Sequence, residues 1–202
     1  MEGYMFLWSI WFIWVFATFI LDKNKPYRFM IASFSLAQII VSPYKVMIGN
    51  MIFNGPFIIM GIFLFIVLAN YSLDEKLFLL ISVWTIGCFY AGFRFIEVYD
   101  PIWIIFDRSL LLALLLAIIL YLLFYKRNNQ WPIALIGGGM LGEVLAYNTL
   151  APYGLSHAVG DKSFLDVIYI TIIFSFSITY LSSLIQRLQL KIPMEKEKTN
   201  QL

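Results

Sequence analysis

The sequence is poor in the residues that bind metals or form covalent cross-links. Cys88 is its only cysteine and His157 its only histidine among 202 residues. One cysteine cannot form an intramolecular disulfide, and these two residues cannot supply a cysteine cluster or a multi-histidine metal site. Ser33, Ser35 and Ser42 have no histidine near them in the sequence, so nothing indicates a serine-hydrolase triad. We therefore expect no metal and no cofactor.

Charge is scarce as well. Only 13% of the residues are charged, 61% are hydrophobic, and the net charge is +2. Soluble domains have about 25% charged and about 45–50% apolar residues. A water-soluble fold of this size could not bury so much apolar surface, whereas lipid solvates it. The composition predicts an integral membrane protein in contact with the bilayer, and the near-neutral charge gives no reason to expect nucleic acid as a partner.

Seven apolar segments predict an all-α integral membrane fold. We expect one bundle of about seven transmembrane helices in residues 1–185, followed by a flexible cytoplasmic tail at 186–202. The first segment has no basic residue before it and no small-residue cleavage signal after it, so it is predicted to be an uncleaved helix. The predicted helices are 3–21, 29–48, 56–71, 73–96, 102–125, 131–150 and 164–185.

Turn and capping signals set the predicted boundaries. Pro43 predicts a kink in the second helix, and Asn54-Gly55-Pro56 predicts a break before the third. The connection between the third and fourth helices is so short that they should form a tight antiparallel hairpin. Three pairs of residues are typical of helix starts, namely Ser72 with Glu75, Asp100 with Pro101, and Ser163 with Asp166.

The basic residues predict the orientation. With the N-terminus outside and the C-terminus in the cytoplasm, most of them fall on the cytoplasmic side, as the positive-inside rule favours. A six-helix alternative would lose one weak span and place one terminus on the wrong side for its charge. Ten of the 14 basic residues lie in the inside segments, namely Lys23, Lys25, Arg28, Lys76, Lys126, Arg127, Arg187, Lys191, Lys196 and Lys198.

The acidic residues concentrate at the outer ends of the last four helices. Glu143 and Arg108 are predicted to lie about 10 and about 9 Å deep, respectively. A lone ion at such depth costs roughly 3 kcal/mol or more, so we expect these two to pair across the fifth and sixth helices, brought together by the glycines of the sixth. The proposed polar site comprises Glu143, Arg108, Asp107, Arg94, Glu97 and His157.

The interpretation of this pair has two alternatives. A salt bridge that fixes two helices together is the structural one, and it is favoured. A titratable carboxylate, or an anchor for a polar solute, is the functional one. Asp107 points about 100° away from its neighbour Arg108, so it needs another partner, for which Arg94 is a candidate.

Several motifs resemble those of the YphA-like small membrane proteins of Gram-positive bacteria. They are Met1-Glu2-Gly3 with a tryptophan-rich first span, Ser42-Pro43-Tyr44, the segment from Asp100 to Arg108, Gly142-Glu143, and Phe164-Leu165-Asp166. The resemblance covers most of the chain and implies a multi-pass protein of the bacterial cytoplasmic membrane. It carries over no catalytic residue.

The favoured function is therefore non-enzymatic. We expect the protein to bind or move a small polar solute or a lipid head group in an outward-opening pocket among helices 4–7, with Glu143 at its floor. The alternative is an accessory or scaffold protein whose partners are other membrane proteins. A lipid-acting enzyme is the weakest reading, because no nucleophile, metal set or acid pair has a recognisable spacing.

Overall fold

The computed structural model describes residues 3–23, 25–49, 51–99, 107–125, 130–155 and 158–199, with side chains through residue 185 except that of Pro26. Within these residues the chain forms seven α-helices and one two-stranded antiparallel sheet. The helices are α1 (Tyr4–Val15, continued by a π-helical turn at Phe16–Ile20), α2 (Pro26–Val41), α3 (Gly55–Ala69), α4 (Leu73–Tyr99), α5 (Arg108–Phe124), α6 (Trp131–Leu150) and α7 (Lys162–Thr199), and the strands are β1 (Lys45–Ile48) and β2 (Met51–Asn54).

The helices differ in length. Three stretches are long and apolar enough to cross a membrane, namely Leu73–Tyr99, Trp131–Tyr153 and Lys162–Ile185. Four other apolar helices have 10 to 17 residues, namely Tyr4–Ile20, Tyr27–Val41, Gly55–Ala69 and Arg108–Phe124. The prediction of a mostly helical fold with seven helices is thus confirmed, and the differences from the predicted elements follow.

That hairpin occupies residues 45–54, where we predicted the end of the second helix. The helix stops because Pro43 has no N–H with which to continue the hydrogen-bond pattern. Gly49 then adopts φ 62°, the left-handed conformation that a tight turn needs. The segment before α7 joins the hairpin, since the Val159 N–H donates to the Ile52 carbonyl at 2.7 Å.

The predicted tight hairpin of the third and fourth helices is wrong. Its start signal is correct, because the Glu75 carboxylate accepts the Ser72 N–H at 3.0 Å. However, α3 and α4 both pack against α6 rather than against each other. Gly61 of α3 and Gly87 of α4 lie directly on α6, where an added Cβ would be 3.1 Å from Met140 and 2.8 Å from Leu141, respectively.

Two other predicted helix starts are corrected. Helix α5 begins at Arg108, and the Asp107 carboxylate caps it by accepting the Ser109 N–H at 2.9 Å. The proposed cap Asp100-Pro101 lies outside the described residues. Helix α7 begins at Lys162, before the predicted cap Ser163, and Asp161 caps it by accepting the N–H of Phe164 at 2.8 Å.

The far end of α7 also differs from the prediction. The helix continues to Thr199, whereas we expected a helical span to end near residue 185. The cytoplasmic position and flexibility predicted for residues 186–202 stay predictions.

The core is built around the pair α4 and α6. Helix α5 packs against α7, and α1 lies between α2 and α7. Gly138 and Gly142 of α6 face α4, whereas Gly139 faces Ile168 and Phe164 of α7. The glycines therefore admit α4 and α7, and not the fifth helix as we had predicted.

Candidate functional site

The charged residues grouped from the sequence gather at one end of the bundle, which we call the network end. There the starts of α1, α5 and α7 meet the ends of α4 and α6, and the hairpin β1–β2 lies beside them. Arg94, Glu97, Asp107, Arg108 and Glu143 all lie in this region. His157, the sixth residue of the predicted site, lies outside the described residues.

Glu143 is paired with a tyrosine. The Tyr90 hydroxyl donates to the Glu143 carboxylate at 2.7 Å, and only 6% of Glu143 is exposed. The backbone amide of Gly160 also stabilises this carboxylate, and Arg94 attracts it electrostatically. A buried carboxylate without such partners would be strongly disfavoured. Glu143 therefore joins α4 to α6 and to the segment before α7.

A second group of charges lies beside Glu143. Glu97 accepts hydrogen bonds from Arg94 at 3.2 Å and from Arg108 at 2.6 Å. Arg108 also donates to the Ser163 hydroxyl. This group ties α4 to the first residues of α5 and α7, and both arginines pair with the same carboxylate.

The predicted ion pair of Glu143 with Arg108 is therefore wrong. Arg108 is the first residue of α5, not a residue six positions inside it, so it lies level with the end of α4. Glu97 is at that level, and it takes the arginine. Asp107 caps α5 instead of pairing with Arg94.

The sequence did not reveal the role of Asp166. Its carboxylate accepts the Gly3 N–H at 2.6 Å and the Phe6 N–H at 2.7 Å, and it is 4% exposed. It therefore caps α1 from α7, 160 residues or more away along the chain. A carboxylate at a helix N-terminus satisfies free N–H groups and complements the helix dipole.

The segment before α7 also lies at the network end. The Asn54 side-chain amide donates to the Gly160 carbonyl at 2.7 Å, which fixes this segment to the hairpin. Glu143 lines neither of the two cavities described below. The expected outward-opening pocket thus finds no support. The paired charges instead connect neighbouring helices.

A polar cavity lies instead near the opposite end of the bundle, between α5, α6 and α7. Its volume is about 260 Å³. Tyr121 and Ser182 approach each other across it, with their hydroxyl oxygens 3.3 Å apart. The other polar and aromatic lining residues are Phe124, Tyr125, Trp131, Ser175, Thr179 and Ser183.

Ser175 differs from four other hydroxyl residues of α7. Thr171, Ser177, Thr179 and Ser183 each donate to the carbonyl four residues earlier in the helix. The Ser175 hydroxyl is buried and has no hydrogen-bond partner within the described residues. The signal available in the sequence was the recurrence of hydroxyls at 175, 179 and 182, which places them on one helix face.

Within the described part of the chain, no three His, Cys, Asp or Glu side chains come together in a way that could hold a metal ion.

Long apolar helices whose buried charged side chains have partners are typical of an integral membrane protein. The chain matches the model of the YphA-like integral membrane proteins over residues 2–201, and it belongs to that family. It is 28% identical over 180 residues to YphA of Bacillus subtilis (strain 168), a relative named as an uncharacterized protein, with 89% of this chain and 88% of the relative aligned. No solved structure matches. The resemblance predicted from the motifs is thus confirmed.

Proposed function

We propose that the protein is a non-catalytic, multi-pass protein of the bacterial cytoplasmic membrane that binds a small uncharged polyol, free or as the head group of a lipid. The site is the cavity between α5, α6 and α7. The observation that carries the proposal is the buried, unpartnered hydroxyl of Ser175 within a cavity lined by further hydroxyls. A buried hydroxyl without a partner costs about 1–3 kcal/mol, so it needs a ligand or water to bond with.

The chemistry of the lining selects the ligand class. Hydroxyl groups both donate and accept, as the hydroxyls of a polyol do. Phe124 and Trp131 offer apolar surface to its C–H groups, and none of the described lining residues is charged. A volume of about 260 Å³ is just below the roughly 300–1,000 Å³ of typical ligand pockets, which suits a small solute.

The same lining supports a role without catalysis. General acid–base and nucleophilic catalysis need a histidine, carboxylate, lysine or similar group within reach of the reacting atom. The described lining residues contribute only hydroxyl, phenol and indole groups. We therefore place binding or passage of a solute here, and not a reaction.

We also propose that all seven helices cross the membrane, with the N-terminus outside. The support is that successive helices run between the same two ends of the bundle. Gly3 and Asp166 meet at the network end, whereas Arg28 contacts the Ala17 carbonyl, and Gln130 contacts Glu75, at the opposite end. Most of the basic residues counted above then lie on the cytoplasmic side.

Cysteine labelling tests this orientation. In a Cys88→Ala background, Tyr153→Cys should react with an impermeant thiol reagent on intact cells, because Tyr153 is 75% exposed near the network end. Asp74→Cys, also exposed but at the opposite end, should react only after permeabilisation. Labelling of Asp74→Cys from outside would overturn the orientation.

Binding is tested through Trp131, which lines the cavity. Protein in phosphatidylcholine nanodiscs is titrated with glycerol and with a monosaccharide, and the response of a Trp131→Phe variant is subtracted. A second arm uses nanodiscs containing an uncharged glycolipid, which separates a lipid head group from a free solute. We expect a saturable response in at least one arm, and Ser175→Ala should weaken it about tenfold, the equivalent of one hydrogen bond.

The same Ser175→Ala variant is also tested by its free energy of unfolding. Ser175→Ala should raise the stability of the ligand-free protein by about 1 kcal/mol, because it removes an unsatisfied buried hydroxyl. Ser177→Ala is the control, since that exposed hydroxyl is bonded within its own helix. It should change neither stability nor binding by more than about 0.5 kcal/mol. The absence of a saturable Trp131 response both to the free solutes and to the glycolipid would contradict the proposal. The scaffold role would then be the remaining candidate.

A further inference from the structure

We propose that the groove between α3, α4 and α6 is a binding site for an anionic phospholipid, with one acyl chain in the groove and the phosphate on Lys76. The groove is separate from the hydroxyl-lined cavity and shares no lining residue with it. Its volume is about 550 Å³. Leu64 and Leu68 line one side and Leu79 and Val83 the other.

The groove exists because consecutive helices do not pack on each other. Helices α3 and α4 are joined by a short connection, yet each packs on α6. Gly137 of α6 lies at the base of the gap between them, where an added Cβ would be 2.9 Å from Val83 and 3.5 Å from Leu64. The base of the recess is thus formed by the α6 backbone at Gly137, which has no side chain to fill it.

The length of the groove fits one acyl chain of a phospholipid. Its lining runs from Phe57 to Leu68 along α3 and from Ile133 to Val144 along α6. Each stretch rises about 16 Å at about 1.5 Å per residue. Half of a hydrocarbon core of about 30 Å is almost the same length. One acyl chain lying along the helices would fill it.

Charge complementarity selects the head group. Lys76 is the one charged side chain among the described residues that line the groove, and it lies where α3 ends and α4 begins. No described carboxylate lies within ion-pair distance of it. Glu75, its neighbour in sequence, accepts hydrogen bonds from Ser72 and Gln130. A phosphodiester at the mouth of the groove would supply the missing partner.

Trp84 makes the site measurable, because it lines the same groove. The protein is placed in phosphatidylcholine nanodiscs that contain rising fractions of phosphatidylglycerol with brominated acyl chains, which quench a tryptophan they touch. The signal of Trp84 is obtained by subtracting a Trp84→Phe variant. We expect half-maximal quenching at about a fivefold lower fraction of brominated phosphatidylglycerol than of brominated phosphatidylcholine.

Substitutions then assign the selectivity. Lys76→Gln should abolish the fivefold preference, and Lys76→Arg should keep it. Lys25→Gln is the control, since Lys25 is exposed at the same end but does not line the groove. Equal quenching by both lipids in the unsubstituted protein would mean ordinary boundary lipid and overturn the proposal. Weak quenching by every lipid would mean that a protein surface covers the groove, and would overturn it too.

Discussion

Replacing Asp166 with alanine should detach the first helix from the bundle and lower the free energy of unfolding by about 3–5 kcal/mol. The carboxylate accepts two backbone N–H groups of the first turn of α1 and is almost fully buried. A hydrogen bond to a charged group contributes about 1.5–3 kcal/mol, and a favourable charge at a helix end adds up to about 2 kcal/mol. No water replaces these bonds readily at a buried site.

The mechanism predicts a graded series. Asp166→Asn keeps the shape but has only one carboxamide oxygen, so it should retain one of the two bonds and cost about 2 kcal/mol. Asp107→Ala is the matched control, because Asp107 is an exposed cap that accepts a single N–H within its own helix. It should cost about 1 kcal/mol. Unfolding in mixed detergent micelles, followed by proteolysis between α1 and α2, measures all three.

Loss of the first helix has a local signature. Phe6 and Ile10 bury their side chains in the core, and the Phe6 ring packs edge-on against Tyr169 with centroids 5.3 Å apart. In Asp166→Ala this contact should open first, so the 21–25 connection should become protease-sensitive before the rest of the chain. Equal losses of unfolding free energy in Asp166→Ala and Asp107→Ala would show that the cap supplied by α7 stabilises no more than an ordinary exposed cap.

The helical segments were predictable because lipid demands a continuous apolar run. The predicted range 131–150 coincides with α6, and the Ser72–Glu75 signal placed the start of α4. The hairpin at 45–54 was missed because we assigned the apolar run to a membrane helix and gave no weight to its local turn signals. Gly49-Asn50, flanked by the apolar residues 46–48 and 51–53, was the hairpin signal.

The location of the charged cluster was predictable, but its pairing was not. Depth along each helix followed from sequence position, and a start of α5 several residues away from the prediction changed the partner of Arg108 from Glu143 to Glu97. Capping of α1 by Asp166 depends on how α1 lies against α7 in space. No local pattern carries that information, since caps are ordinarily supplied by the helix they close.

The pair of helices at the centre of the bundle yields the second large effect. We expect Gly138→Ala and Gly142→Ala each to destabilise the protein by about 3 kcal/mol. A Cβ at Gly138 would lie 2.5 Å from the Cβ of Ile86, and one at Gly142 would lie 2.8 Å from the carbonyl oxygen of Gly87. Both contacts involve atoms fixed to the backbone of α4, so neither can relax by a rotamer change.

Close packing matters more here than in a soluble protein. Lipid solvates apolar helices as well as another helix does, so association depends on van der Waals contact and hydrogen bonds between closely approaching backbones. Pushing α4 away at Gly142 also moves Tyr90, whose Cβ would lie 2.7 Å from the new methyl group. The hydrogen bond from Tyr90 to Glu143 should then lengthen and leave a buried carboxylate poorly compensated.

Gly92→Ala provides the control on the same helix pair. Gly92 lies on α4, and an added Cβ there would meet no atom within 4 Å. It should therefore leave stability unchanged or raise it by up to about 1 kcal/mol, because alanine favours helix over glycine. Combining Gly142→Ala with Tyr90→Phe should cost less than the sum of the two single changes, since each disrupts the same bond to Glu143. Additive losses would mean that the glycine contact and the Glu143 hydrogen bond stabilise the α4–α6 interface independently, and equal losses at Gly92 and Gly142 would refute the close approach itself.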